Sequence, residues 1–301
     1  MTWNKYLLVL WIATLWPLQA CAAEVVWFLY DDANKYHQQY VSESESSLKK
    51  MLPNITVRRE GFDADSIAVE SGDRLLVVSV GAKAARQAAQ LNYTTLNTLI
   101  TRRTSRSLKE LYSAPVSAVY LEQPANRQLT LIKRSLPSRK VITVLLGGED
   151  KNYENELMHQ SKLLGLQIRF IKIDAEKSID DLFGHQLQSD DSLLLLPDTR
   201  IVNRRTVKPL VLGSYRQGIP LVGYSHALVK AGALMAVHST LPALEKELVE
   251  MVTHFFSTEE LPVPRYSSGY KVSVNYQLAR ALKLSLPSED VLQKRMEGPL
   301  Q

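Results

Sequence analysis

Residues 73–91 read DRLLVVSVGAKAARQAAQL, a strand pattern that passes through a single glycine into a helix pattern. From Leu75 onward the strand part is mostly apolar and does not alternate, as in a strand buried on both faces of a sheet. The alanine-rich part that follows favours a helix. A buried strand that leads directly into a helix is the repeating unit of a parallel sheet covered by helices. This stretch therefore predicts an α/β fold.

The same alternation of strand and helix patterns continues on both sides of this stretch. Strand-like runs lie at 24–30, 54–59, 139–147, 166–173, 192–197 and 219–224, with helical patterns between most of them. After a turn at 113–115, the alternation of strand and helix patterns begins a second time. We therefore predict two Rossmann-like lobes with parallel sheets, joined by a hinge. A ligand cleft is then expected between the carboxyl ends of the two sets of strands.

The restart of the rhythm also sets the expected boundaries between the two lobes. We expect residues 24–115 to form the first lobe and residues 116–240 the second. Residues 241–301 would supply a crossover helix and a C-terminal segment, part of which returns to the first lobe.

The first 23 residues have the pattern of a secretory signal peptide. Lys5 precedes an apolar run from Tyr6 to Trp16, and small residues follow at Ala20 and Ala23. The apolar run is shorter than the roughly 20 residues that span a membrane. We expect residues 1–23 to be removed and the mature protein to be exported to the periplasm.

The single cysteine of the chain, Cys21, lies in this leader segment. The tetrapeptide LQAC (18–21) resembles a bacterial lipobox, which would make Cys21 a lipidated N-terminus and anchor the protein to a membrane. The alternative is that Cys21 is discarded with the leader. A single cysteine also excludes disulfides within the chain and a cysteine-based zinc site.

Composition and motifs exclude several classes of function. The 36 basic and 31 acidic residues give a net charge of +5, which is too mild and too dispersed to indicate nucleic-acid binding. The sequence has neither a glycine-rich phosphate loop nor a nucleophile elbow, and its six histidines lack metal-ligand spacing. We therefore expect a protein that is not an enzyme and that uses no cofactor and no metal. We also expect the protein to be a monomer.

Several segments together resemble the TrpX-like (DUF534) substrate-binding proteins of ABC importers. These segments are DSLLLLPD (191–198), GIPLVGYS (218–225), AGA (231–233), VVSVGAKAA (77–85), QLTLIKRSLPSRKVITVLL (128–146) and VNYQLARALKLSLP (274–287). The resemblance covers about residues 24–290. It implies a type I periplasmic-binding-protein-like fold that captures a small molecule for an inner-membrane ABC permease. The implied ligand is amino acid-like or a small anionic metabolite.

A second function remains open beside the importer function. An envelope accessory or sensor protein of the same fold would dock on a sensor kinase or an outer-membrane receptor instead of a permease. Departures from the family pattern motivate this alternative, because Ala82 stands where a threonine is usual and Lys83 replaces a common proline.

In the second lobe, the predicted ligand residues follow the ends of two strand-like runs. Asp198 lies just past one run, where its carboxylate could pair with a ligand ammonium group or could instead cap the next helix. Tyr224 and Ser225 end the neighbouring run and are expected on the same wall. Gly232 joins this set through the resemblance.

In the first lobe, the predicted ligand residues lie in two strand-to-helix turns. Tyr30 and Asp31 end the first strand, as ligand contacts or as a helix cap. Gly81 and Ala82 could present backbone N–H groups to a ligand carboxylate or phosphate, or could simply form a tight turn. Lys83 offers a cation for an anionic ligand.

A basic stretch is expected at the lip of the cleft. Arg102, Arg103 and Arg106 lie where the family commonly carries an Asp-Pro pair. They would favour an anionic ligand or an acidic protein partner, or they form a solvated basic turn.

Overall fold

The computed structural model describes residues 23–61, 73–148, 150–173, 182–188 and 191–298. Except for Ala23, the expected signal peptide lies outside these ranges, and so does Cys21, so its removal or lipidation stays a prediction. Within the described ranges, no helix combines the length and the apolar character that crossing a membrane requires.

The first lobe is built on a six-stranded sheet. Its strands are β1 (Glu24–Tyr30), β2 (Thr56–Glu60), β3 (Arg74–Val80), β4 (Thr95–Ile100), β5 (Val116–Tyr120) and β11 (Arg265–Tyr266), in the order β11-β5-β4-β3-β1-β2. Every neighbouring pair is parallel. Its helices are α1 (Lys35–Met51), α2 (Ala82–Ala88), α3 (Arg102–Leu108) and α8 (Leu241–Thr258), with a 3₁₀ turn at Lys109–Leu111.

The second lobe repeats this architecture. Its strands are β6 (Val141–Leu146), β7 (Gln167–Lys172), β8 (Asp191–Leu194), β9 (Leu221–Gly223), β10 (Met235–His238) and β12 (Lys271–Val274), in the order β12-β10-β9-β8-β6-β7. Only the β10–β12 pair is antiparallel. The helices are α4 (Ala125–Ser135), α5 (Lys151–Leu163), α6 (Val207–Arg216), α7 (His226–Ala231), α9 (Tyr276–Ala281) and α10 (Glu289–Glu297), with a π-helical turn at Leu182–Gln186. The prediction of two α/β lobes is confirmed.

The expected start of the second lobe at residue 116 is wrong. Strand β5 is hydrogen-bonded to β4 and belongs to the first sheet, so the chain leaves the first lobe only after Tyr120. The turn at 113–115 connects α3 to β5 within one lobe instead of separating two lobes. The alternation of strand and helix patterns in the sequence indicates where a helix ends, but it does not show which sheet the next strand joins.

Helix α8 completes the core of the first lobe from the far end of the chain. Leu244 and Leu248 are buried in one cluster with Tyr40 and Val41 of α1 and Phe28 of β1. The chain then adds β11 to the first sheet and returns to the second lobe at β12. The two lobes therefore share the C-terminal segment, and neither core is made of one continuous stretch.

Three chain segments cross between the lobes, at 121–124, 239–240 and 267–270, and they meet at Gln123. The fully buried Gln123 side chain donates through Nε2 to Ser239 Oγ at 2.7 Å and to the Gly269 carbonyl at 3.4 Å. Its Oε1 accepts from Arg127, whose guanidinium also donates to the Ser267 carbonyl at 2.8 Å. One side chain thus ties all three crossing segments together.

We predict that Gln123→Ala lowers the free energy of unfolding by roughly 1–3 kcal/mol, because it removes the buried side chain that bonds Ser239 and Gly269 on the other two segments and accepts from Arg127. Urea unfolding followed by circular dichroism measures the change. The control is Gln39→Ala on the exposed face of α1, where a loss below about 0.5 kcal/mol is expected. Equal effects of the two substitutions would contradict the hinge role of Gln123.

Candidate functional site: the interlobe cleft

The cleft lies where the carboxyl ends of the two parallel sheets meet. On the first lobe, β4 ends in a bulge, because the pairing with β5 shifts register between Asn97 and Ile100 and Leu99 has a φ of +50°. Bulges redirect the chain at functional sites. Thr101 then caps α3 by accepting a hydrogen bond from the Thr104 N–H at 3.1 Å. This geometry carries the short, arginine-rich α3 toward the second lobe.

Three arginines of α3 pair with carboxylates of the second lobe. Arg103 Nη1 lies 2.6 Å from Asp198 Oδ2. Arg102 is 3.5 Å from Glu156, and Arg106 is 3.9 Å from Asp150. We call these three contacts the interlobe ion pairs. The basic stretch therefore joins the two lobes, while Arg103 and Arg106 stay partly exposed.

The Asp198 carboxylate lies at the cleft, as predicted, but protein groups surround it. It accepts hydrogen bonds from Arg103, from the backbone and side chain of Arg200 and, at 3.2 Å, from the Gly147 N–H. Burial raises the pKa of the Asp198 carboxyl, and Arg103 and the Gly147 N–H partly offset that shift. The alternative of a helix cap is wrong, because the next helix begins at Val207 after Thr206.

We predict that Arg103→Met shifts the equilibrium toward separated lobes by about fivefold, which corresponds to roughly 1 kcal/mol for a partly exposed ion pair. Small-angle X-ray scattering measures the shift as an increase in the radius of gyration. Salt should shift the wild type in the same direction, because it screens the pairs. The control is Arg86→Met on exposed α2. An unchanged radius in Arg103→Met would show that other contacts hold the lobes together.

Glu122 is a cleft residue that the sequence analysis missed. It follows β5 at the start of the first crossing segment and is 5% exposed. Its Oε1 accepts a hydrogen bond from the Arg102 N–H at 2.8 Å, whereas its Oε2 is buried without a partner. Burial raises the pKa of Glu122 to about 7. The rule that selected Asp198, a carboxylate just after a buried strand, also selects Glu122.

A small cavity of about 30 Å³ lies between the lobes at this point, large enough for about one or two water molecules. Both lobes contribute to its wall, which mixes charged, aromatic and aliphatic side chains. The lining residues are Arg102, Arg103, Glu122, Leu145, Leu146, Asp150, Tyr153, Glu154, Leu196, Pro197 and Asp198. Anything larger than a few atoms requires the lobes to move apart.

Tyrosines supply much of the apolar surface around Glu122. The Arg102 guanidinium lies over the Tyr153 ring, 5.0 Å from its centroid, and Tyr266 packs edge-on against Tyr120 at 5.1 Å. The hydroxyls of Tyr153 and Tyr266 are buried without a hydrogen-bond partner. Burial raises the pKa of both phenols, so both are neutral and able to donate.

We predict that Glu122→Gln removes a pH-dependent loss of stability. Glu122 is protonated in both folded and unfolded states below pH 4.5, and only the unfolded state ionises readily between 4.5 and about 7. Wild-type stability should therefore fall relative to Glu122→Gln across that window, by on the order of 3 kcal/mol, and the difference should level off above it. Thermal unfolding from pH 4 to 8 measures this difference. A difference that does not vary with pH would place the Glu122 pKa near its ordinary value.

The predicted first-lobe residues form turns at the same sheet edge. Tyr30 pairs with Val80 in the sheet, next to Gly81. Asp31 Oδ1 accepts from the Ala33 N–H at 3.1 Å, an Asx turn rather than a free ligand group. The described hydrogen bonds and ion pairs of the Asp198 side chain go to Arg103, Arg200 and Gly147, and none goes to the Gly81 turn.

Gly81 is required by its own turn. Its φ is +90°, and a Cβ at this position would lie 2.9 Å from His37 Cε1. Its N–H donates to the Thr98 carbonyl at 2.8 Å, so this group is part of the sheet and is not presented to a ligand. Ala82 and Lys83 begin α2 with exposed side chains. Their roles as ligand contacts stay predictions.

The second-lobe residues Tyr224, Ser225 and Gly232 have three different positions. Tyr224 packs on the second-lobe cluster that contains Leu228, and burial raises its pKa, with a further contribution from the charges of Glu122 and Asp198. Ser225 caps α7 by accepting from the Leu228 N–H at 3.3 Å. Gly232 ends α7 with a φ of +117°, at the opposite edge of the sheet from the cleft. Gly232 is therefore a helix terminus, and its prediction as a cleft residue is wrong.

Solved structures share this two-lobed fold. An ABC domain in complex with L-Trp from Streptococcus pneumoniae is 18% identical with a TM-score of 0.60, covering 90% of this chain and 98% of its own. An open substrate-binding protein with adhesive properties from Clostridium difficile is 16% identical with a TM-score of 0.64, covering 89% and 97%. A conserved domain protein from Vibrio cholerae is 14% identical with a TM-score of 0.60, covering 91% and 98%.

No protein-family model matches the sequence, and no curated protein sequence matches it. The solved structures therefore define the fold alone, which is an arrangement of two α/β lobes. Within the described ranges, no group of three or more His, Cys, Asp or Glu side chains is arranged to hold a metal ion.

Proposed function

We propose that this protein is an exported solute-binding protein of the TrpX-like type, which closes its two lobes around a small molecule and delivers it to the permease of an ABC importer. The observation that carries the proposal is the construction of the cleft. Charged groups from both lobes meet there, Arg103 from one and Asp198 from the other, beside a hinge of three crossing segments. Hinge closure on a ligand uses this arrangement.

The cleft chemistry favours a ligand that is amino acid-like or a small anion. Guanidinium groups suit a carboxylate or phosphate, and the carboxylates suit an ammonium group. The complex of the pneumococcal protein with L-Trp supports the amino-acid class. The anionic end of such a ligand would replace Asp198 as the partner of Arg103. Only a ligand with an anionic group could do so, and the Arg103–Asp198 ion pair therefore favours this class of ligand.

One observation favours the accessory or sensor alternative. The interlobe ion pairs satisfy Asp198 and the three arginines from within the chain, so the lobes associate through their own groups. Lobes that already associate through their own charged groups leave fewer of these groups open to a ligand, which is why this alternative is kept. Neighbouring permease and ATPase genes favour the importer, and a neighbouring kinase or receptor gene favours the alternative.

We predict that a cleft ligand raises the melting temperature of the wild type and that Arg103→Met loses most of this increase, because Arg103 holds the anionic end of the ligand. A saturating ligand at 100 times its Kd stabilises the folded form by about 2.7 kcal/mol. The screen uses the twenty amino acids, simple carboxylates and neutral sugars. Thermal shift is a better readout than tryptophan fluorescence. Trp27 is the only tryptophan in the described residues, and it is 2% exposed in the core of the first lobe, so its emission should respond little to a ligand in the cleft.

Two outcomes would count against transport. No stabilisation by any compound would remove the support for solute binding. Equal stabilisation of the wild type and of Arg103→Met would mean that the compound binds away from Arg103 and the cleft.

A further inference from the structure

Glu122 differs from the other carboxylates of the cleft in having an oxygen that is buried and has no hydrogen-bond partner. Asp198 accepts from two arginines and a backbone N–H. Asp150 caps α5 and faces Arg106, and Glu156 faces Arg102. Glu122 Oε1 takes one backbone N–H, and its Oε2 has no partner although it is buried. The cleft thus contains one buried hydrogen-bond acceptor, Glu122 Oε2, that has no partner.

The surroundings of this oxygen make an unpaired charge costly. Glu122 is 5% exposed and lines the interlobe cavity together with Leu145, Leu146 and Leu196. A buried carboxylate is stable only when it is paired and hydrogen-bonded. An incoming cation with N–H donors would satisfy both requirements at once, whereas a neutral hydroxyl would satisfy only one.

The aromatic rings beside Glu122 suit the same kind of group. Tyr153 lines the cavity, and its ring already stacks with one cation, the Arg102 guanidinium, at 5.0 Å. Aromatic faces attract ammonium ions as well as guanidinium ions. A carboxylate among tyrosines is a common way to bind an amine.

We infer that Glu122, rather than Asp198, receives the ammonium group of the ligand, so that the ligand class is an amine with an anionic end, as in an amino acid. The inference rests on the proposed function and narrows it. Asp198 then serves the closed form as the partner of Arg103, and the anionic end of the ligand competes with Asp198 for that arginine.

The protonation state of Glu122 gives this inference a separate signature. With its pKa raised to about 7, the side chain is partly protonated near neutral pH, and pairing with an ammonium group ionises it. The proton leaves Glu122 for the solvent while the ligand keeps its own three N–H protons. Binding at pH 7 should therefore release a fraction of a proton.

The test uses the full mature chain and a thermal-shift panel with three matched sets. The sets are the twenty amino acids, their des-amino analogues such as indole-3-propionate and 3-phenylpropionate, and the neutral sugars ribose and glucose. Isothermal titration of each stabilising compound, in two buffers of different ionisation enthalpy, then gives Kd and proton release. Only amine-bearing compounds are expected to bind, with proton release at pH 7 that disappears at pH 9.

Glu122→Gln is the decisive variant, because the amide keeps the acceptor for the Arg102 N–H and the shape of the side chain. It should weaken binding of the amino acid by tenfold or more and abolish proton release. Glu110→Gln, an exposed position in the 3₁₀ turn after α3, makes the same charge change and should leave Kd unchanged. Glu122→Asp, which keeps the charge, should retain part of the affinity if Glu122→Gln unfolds.

The outcomes separate this inference from the proposed function. Binding of sugars or des-amino acids, or full affinity in Glu122→Gln, would overturn the role of Glu122 and leave solute binding intact. A loss of affinity in Asp198→Asn without any loss in Glu122→Gln would return the ammonium group to Asp198. No binding by any member of the panel would overturn the proposed function, and this inference with it.

Discussion

The buried amide of Gln123 joins the three segments that pass between the lobes, and the geometry of the cleft depends on this junction. Parallel strands bring the loops of each lobe to one sheet edge, but they do not determine how the two edges face each other. That angle is set where Gln123 contacts Ser239 and Gly269 and where Arg127 reaches Ser267. The loops of the two lobes meet as opposing walls because these segments are fixed to one another.

The charges of the cleft are balanced so that closure is easily reversed. Arg103 and Arg106 keep 34% and 44% of their side chains exposed in their pairs with the second lobe, so each pair contributes little on its own. Three such contacts together still favour one arrangement of the lobes. Glu122 lies deeper in the cleft, where an unpaired charge is costly. Pairing with Glu122 would therefore contribute more binding free energy than contacts with the partly exposed Arg103 and Arg106.

Several site residues lie at the ends of strands as the sequence predicts, but the sequence does not show their contacts within the chain. The sequence locates Asp198 after a buried strand, and its carboxylate does lie at the cleft. Its contact with Arg103 joins residues 95 positions apart in the chain, and no local pattern encodes that distance. The sequence is consistent with either a ligand contact or a tight turn at Gly81. The φ of +90° and the hydrogen bond from its N–H to Thr98 favour the tight turn. Glu122 follows a buried strand as Asp198 does, but the sequence does not show that one of its oxygens is buried without a partner.

The sequence by itself determined the parallel sheets, the two-lobed class and the sheet edge at which polar residues collect. Continuous apolar runs and strand-to-helix turns are local properties, and burial on both faces of a sheet accounts for them. Only the tertiary structure decided that β5 belongs to the first lobe, that the arginines of α3 meet the second lobe and that Glu122 keeps a free oxygen. Each of these depends on which surfaces the crossing segments bring together, and that pairing is a property of the whole chain.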